Sequence, residues 1–143
     1  MHRFVSLLIL LTLTLGCATT NSTRPTTIAK PEIEAFLVQS LHFGGGSVAP
    51  ATIEVRITNR AKVPIVARRI SIDSPGMQEY TISRGSREIR EVINPGETKR
   101  VNIFAEATAL TGITNVTEPL SLRAVIDFES GKTVWREVEL MMR

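Results

Sequence analysis

A period-two alternation of apolar and polar residues runs through the chain from residue 32 onward and constrains its fold more than any other feature. The clearest case is TIEVRIT at 52–58, where isoleucine or valine occupies every second position. Such alternation turns one face of a strand to a core and the other to water. Comparable stretches lie at 33–41, 63–72, 80–82, 89–93, 101–107, 120–128 and 134–141. Because no segment of this region has helical spacing, the sequence predicts an all-β domain.

Turn-forming residues separate the predicted strands. A glycine triplet lies at 44–46, and Pro-Gly turns lie in DSPG at 73–76 and NPGE at 94–97. ESGK at 129–132 predicts a hairpin with Ser130 and Gly131 at its centre, and the threonine-rich stretch at 110–118 is expected to cross between sheets. Seven to eight short strands, each with one apolar face, favour a two-sheet antiparallel β-sandwich. A small barrel satisfies the same alternation.

Two of the predicted strands carry irregular features. The apolar positions change parity across residues 67–70, which predicts a β-bulge near Arg68 and Arg69. In the last strand, Val134 and Val138 indicate the apolar face, so Trp135 is expected on the opposite, polar face. Phe104 is likewise expected on the polar face of its own strand. Two interpretations stay open for these aromatic residues: an aromatic binding platform, or strands covered on both faces or packed at a sheet edge.

The N-terminus has the composition of an export signal. His2 and Arg3 supply a positive start, and a mostly apolar run at 5–15 precedes Gly16 and Cys17. The run is short for a bilayer-spanning helix, which needs about 20 apolar residues. The sequence therefore predicts a signal peptide at residues 1–16.

The segment Leu13-Thr14-Leu15-Gly16-Cys17 resembles the lipobox of bacterial lipoproteins, with Thr14 where that motif usually has leucine. The resemblance implies that Cys17 is acylated and becomes the mature N-terminus, which anchors the chain to a membrane. Ala18 follows the cysteine in place of aspartate, and this resembles the pattern sorted to the outer membrane, facing the periplasm. The alternatives are a plain secretory signal with an incidental cysteine, or an uncleaved anchor.

The residues after Cys17 divide into a polar segment and the alternating region. Residues 18–31 are rich in Thr, Ser, Asn and Pro, so we expect a flexible tether at 17–31 and the sandwich domain at 32–143. The chain has one cysteine, so no internal disulfide can form and the fold depends on packing.

Part of the alternating region resembles known β-sandwich families. The run Ile57-Thr58-Asn59, followed by Val63-Pro64-Ile65-Val66 and Pro-Gly turns, looks like the LEA type 2 (WHy-like) sandwich. The run at 94–98, which leads into a strand, also looks like fibronectin III or immunoglobulin-like modules of bacterial surface proteins. Both resemblances imply a binding or protective module, not an enzyme.

The charge pattern suggests one candidate binding surface. The net charge is +3, but opposite charges are interleaved, which does not indicate nucleic-acid binding. The candidate anionic-ligand patch comprises Arg56, Arg68, Arg69 and Arg90. On a shared face these arginines would suit anionic lipid headgroups, lipopolysaccharide or peptidoglycan carboxylates. The alternative is that they form ordinary ion pairs across strands with Glu54, Glu88 and Glu91.

The sequence offers little for catalysis. His42 is the one histidine outside the predicted signal, and no serine has a plausible histidine and acid partner. Asp73, Asp127 and Glu129 lack the spacing of a calcium loop, so no metal or cofactor is predicted. We expect a non-enzymatic envelope lipoprotein whose partners are the membrane, through its lipid, and other envelope proteins or anionic envelope polymers. The alternative is a LEA-like protein that protects other macromolecules during drying.

Overall fold

The structure is a computed structural model that describes residues 24–75, 80–109 and 121–142, and the regular elements in this part of the chain are all β-strands. The strands are β1 (Glu32–Leu37), β2 (Val48–Thr58), β3 (Ile65–Asp73), β4 (Tyr80–Ile82), β5 (Gly85–Ile93), β6 (Thr98–Ala109), β7 (Ser121–Ser130) and β8 (Thr133–Met142). The predicted crossing segment at 110–118 and the end of the first Pro-Gly turn, Gly76, lie outside the described residues.

The eight described strands form two four-stranded antiparallel sheets. The first sheet has the order β1-β2-β6-β4, and the second has the order β5-β3-β7-β8. Inward-facing side chains of both sheets form one core, and Ile53, Val55 and Ile57 are fully buried as the alternation predicts. The prediction of an all-β, two-sheet antiparallel β-sandwich is confirmed.

The chain changes sheets between β4 and β5, beside β6. β4 pairs with the end of β6, whereas β5 pairs with β3 in the second sheet. A Cβ at Gly85 would lie 2.9 Å from the Phe104 carbonyl oxygen and 2.9 Å from Ile103 Cγ2. Only glycine fits this crossing without displacing backbone, because real Cβ atoms do not approach that closely.

Asn59 joins the end of β2 to two neighbouring turns. Its side chain is fully buried, and its Nδ2 donates hydrogen bonds to the carbonyl oxygens of Val63 at 2.8 Å and Ile93 at 2.9 Å. Its Oδ1 accepts a hydrogen bond from the Ala61 backbone N–H at 2.8 Å. The backbone of Asn59 also bonds to the turn that carries Gly96. A buried amide with both N–H groups used ties the β2–β3 loop to the β5–β6 turn.

The segment 24–31, defined as the strap, packs against β8. Ile28 is buried in the core, and Arg24 lies 3.6 Å from the buried carboxylate of Glu137. Lys30 Nζ donates to Glu139 Oε2 at 2.6 Å. The packed part of the chain thus begins by Arg24, before the predicted boundary at residue 32. Residues 17–23 of the predicted tether lie outside the described part.

The β7–β8 hairpin orients the last strand differently from the prediction. Its two loop residues are Gly131 and Lys132, not Ser130 and Gly131, and Ser130 pairs with Thr133. Trp135 is 2% exposed and stacks on Phe128 with ring centroids 5.5 Å apart. The expectation that Trp135 lies on the outer, polar face is therefore wrong. The exposed side of β8 instead carries Val134, Arg136, Val138 and Leu140.

Candidate functional site

Four arginines surround a shallow hollow of about 380 Å³ on the outer face of the second sheet. The hollow is lined by Arg68, Arg69, Glu88, Arg90, Asp127, Val134 and Arg136. All four strands of the sheet contribute to this lining, so the site depends on the complete sheet. Cationic groups outnumber carboxylates in it, as suits an anionic ligand.

Two adjacent β-bulges place these arginines. Between Ala67 and Arg69, β3 has one residue more than β7 and one fewer than β5. The predicted bulge near Arg68 and Arg69 is confirmed, and β5 adds a second irregularity that sequence analysis missed. At that level Arg90 has φ of 54°, the one positive φ at a non-glycine residue in the described part of the chain. Bulges redirect side chains, and a left-handed conformation at a non-glycine residue costs energy that the surrounding structure must offset.

The ion pairs of the hollow differ in strength. Arg136 makes a bidentate contact with Asp127, with N–O distances of 2.6 and 3.1 Å, and this contact raises the pKa of Arg136. Arg69 lies 3.6 Å from Glu88, and both side chains are more than half exposed. Exposed pairs of this length contribute little stability, so an incoming anion can displace the carboxylate.

Two further arginines of the hollow have little internal competition for an anion. Arg68 lies 3.5 Å from Glu129 across the sheet. Arg90 makes no ion pair with any residue that the structure describes. The guanidinium groups of Arg68, Arg69 and Arg90 are therefore the ones available to a ligand.

Arg56, the fourth residue of the predicted patch, belongs to the other sheet. It lies on β2, where its Nε contacts Glu54 at 2.5 Å and its guanidinium lies 4.5 Å from the centroid of the Phe36 ring. The structure thus brings Arg68, Arg69 and Arg90 together, adds Arg136, and leaves Arg56 in a separate environment. The signal for Arg136 was the two-residue β7–β8 hairpin, which pairs it with Asp127.

The other features singled out in the sequence have ordinary surroundings or lie outside the described residues. His42 borders a hollow of about 270 Å³ with Gln39, Ser40 and Pro50, and the described residues that line it include no carboxylate. Phe104 is 73% exposed on the first sheet, as expected, but buried Trp135 cannot join it in an aromatic platform. Cys17, the predicted lipidation site, lies outside the described residues.

The described residues contain neither a cluster of potential metal ligands nor a helix that could cross a membrane. In residues 24–75, 80–109 and 121–142, no three His, Cys, Asp or Glu side chains are grouped as metal ligands would be. The same ranges contain no helix with the length and hydrophobicity that crossing a bilayer requires.

Comparison with known proteins yields distant structural likeness. No protein-family model and no curated protein matches the sequence. Among solved structures, the chain is similar to a protein from Archaeoglobus fulgidus at 13% identity and a TM-score of 0.42, covering 81% of this chain and 94% of that one. It is also similar to a FixG-related protein from Vibrio parahaemolyticus at 10% identity and a TM-score of 0.38, covering 81% of this chain and 98% of that one.

Proposed function

We propose that this chain is a non-enzymatic lipoprotein of the bacterial cell envelope, in which lipid on Cys17 anchors a β-sandwich that binds other envelope components. The observation that carries the proposal is the sequence at 13–17, a lipobox-like run that follows a charged start and an apolar segment. A cysteine at this position is the acceptor for acyl chains. Two or more acyl chains give stable anchoring, at about 0.8 kcal/mol for each buried methylene.

The folded part supports a binding role. The sandwich has an extensive apolar core that includes Ile53, Ile126 and Phe128. Burial of this apolar surface stabilises the domain, so it can stay folded outside the cytoplasm without a disulfide. The hollow that Arg68, Arg69 and Arg90 line is shallow, which favours reversible recognition of an anionic surface over bond-making chemistry. Ala18, in place of aspartate, favours the outer membrane facing the periplasm.

Mass spectrometry of the protein isolated from a Gram-negative host tests the anchor. The expected product lacks residues 1–16 and carries acyl chains on Cys17, whereas the Cys17→Ser variant carries none. Gly16→Ala is the matched control, because it keeps a small residue before the cysteine and should still be processed. A full-length wild-type chain with an unmodified thiol would refute the proposal.

Crosslinking in intact cells tests the binding role. A specific envelope partner that is captured by the wild-type protein supports a binding module. The LEA-like alternative predicts no specific partner and a general protection of other proteins during drying. If the protein protects other proteins during drying and no specific partner is captured, the LEA-like alternative replaces the binding role.

A further inference from the structure

The two outer faces of the sandwich carry opposite net charges. The outer face of the second sheet is defined here as the basic face. With the loop residue Arg84, which binds Asp73, it has six arginines (68, 69, 84, 90, 123 and 136) and four carboxylates (Asp73, Glu88, Asp127 and Glu129). The outer face of the first sheet has four glutamates (32, 34, 54 and 106) and two arginines on its strands (56 and 100), and the loop residue Arg60, which binds Glu32, adds a third arginine. A negatively charged surface therefore attracts the basic face and repels the opposite one.

The basic face also presents apolar side chains beside its arginines. Val134, Val138 and Leu140 are 54%, 40% and 66% exposed, and Arg136 lies between the two valines on the same side of β8. Val134 itself lines the arginine hollow. Basic residues beside exposed aliphatic side chains are the combination with which peripheral proteins bind anionic bilayers.

The strap places this face within reach of the proposed anchor. Arg24 and Lys30 contact Glu137 and Glu139 on β8, so the N-terminal segment meets the sandwich beside the strand that carries the apolar side chains. Seven peptide units separate Cys17 from Arg24 and span at most about 25 Å. The strap meets the sandwich at β8, the edge strand of the second sheet, so the anchor alone does not favour one outer face over the other. The charge of each outer face therefore determines which of them turns to the bilayer.

We propose that the basic face lies on a bilayer that contains anionic phospholipid, with Arg68, Arg69 and Arg90 against lipid phosphates and the exposed side chains of β8 at the headgroup level. This inference rests on the lipid anchor proposed above and goes beyond it by assigning the orientation of the domain. The weak pairs of Arg68 and Arg69 exchange carboxylates for phosphates, and Arg90 gains a partner. Asp127 stays neutralised by Arg136.

A fluorescent label on each outer face tests the orientation in the intact, lipidated protein. Val138→Cys labels the basic face and Phe104→Cys labels the opposite face, and acylated Cys17 leaves the introduced cysteine as the one free thiol. Each labelled protein is reconstituted in vesicles of phosphatidylglycerol with phosphatidylcholine and in vesicles of phosphatidylcholine alone. Quenching by neutral acrylamide then reports water access. We expect the label at 138 to be shielded on the anionic vesicles alone, and the label at 104 to stay accessible on both.

Charge variants test which arginines bind the basic face to the bilayer. Arg68→Gln with Arg69→Gln should abolish the shielding at 138, because each arginine near an anionic surface strengthens binding about fivefold. Arg56→Gln with Arg100→Gln removes the same charge from the opposite face and should leave the shielding unchanged. All these positions are part-exposed or exposed, and circular dichroism confirms that each variant is folded.

The outcomes separate this inference from the anchor. Protein that does not float with neutral vesicles refutes the anchor and overturns both proposals. Protein that floats but has equal quenching at 138 and 104 on anionic vesicles overturns the orientation alone. Loss of shielding in inorganic phosphate, but not in chloride of equal ionic strength, would assign the arginines to a free phosphate and overturn the lipid assignment.

Discussion

Replacing Asn59 with alanine removes a buried tie between two turns and should be costly. The change deletes three side-chain hydrogen bonds, to Val63, Ile93 and Ala61, at a fully buried position. A typical intramolecular hydrogen bond contributes about 1 kcal/mol net, so the loss is about 3 kcal/mol. That is a large fraction of the 5–15 kcal/mol typical of a domain, and it corresponds to a fall in Tm of roughly 12 °C.

Urea denaturation monitored by the fluorescence of Trp135, the one tryptophan of the chain, measures this cost. Asn59→Asp is the matched control, since it has nearly the same shape and keeps the acceptor for the Ala61 N–H. It turns an oxygen toward the carbonyl oxygens of Val63 and Ile93, which raises its pKa in the folded state. A raised folded pKa means that this variant loses stability, relative to wild type, as the pH rises above about 3.9. An alanine variant within about 1 kcal/mol of wild type would refute the reasoning.

Three further changes probe the core, an ion pair and the strand crossing. Trp135→Ala should lower the free energy of unfolding by about 3–5 kcal/mol in urea denaturation followed by circular dichroism, and a loss below 1 kcal/mol would contradict its burial. The bidentate contact with Arg123 holds the pKa of Asp73 below its usual range, so Asp73→Asn should cost about 1 kcal/mol or less at pH 7. That difference should vanish as the pH falls through the lowered pKa, and a cost that persists in acid would point to packing instead. Gly85→Ala should cost about 1–3 kcal/mol because its Cβ meets the backbone of β6, whereas Gly46→Ala, with its nearest atom at 3.4 Å, should change the Tm little.

The strands are predictable from sequence because alternation directly reflects burial, but the prediction of which side of β8 faces the core is wrong. Val134 and Val138 look like a core face, whereas the inward positions hold Trp135 and the charged Glu137. A two-residue hairpin settles the question, because it couples the inward, even-numbered residues of β7 to odd-numbered residues of β8. A shift of one residue in a strand reverses every side chain, so the hairpin constrains parity more strongly than composition does.

The arginine hollow was predictable in part for a similar reason. A parity change in the sequence indicated the bulge at Arg68, but the position of Arg90 depends on the pairing of β5 with β3, which joins residues far apart in the chain. The grouping of Arg56 with the others assumes that these arginines share one sheet face. Consecutive strands often pair, yet here β2 and β3 belong to different sheets. Strand order is a property of the assembled core, and no local pattern encodes it.

The strap determines how the protein would respond to tension. Its described contacts are those of side chains, the pairs of Arg24 and Lys30 and the buried Ile28, whereas β1 is joined to β2 along six residue pairs. A force applied through the N-terminal end would peel residues 24–30 away before it reached a ladder of backbone hydrogen bonds. Once released, residues 24–30 would span as much as about 25 Å while the domain stayed folded. The strap would thus yield before the domain did.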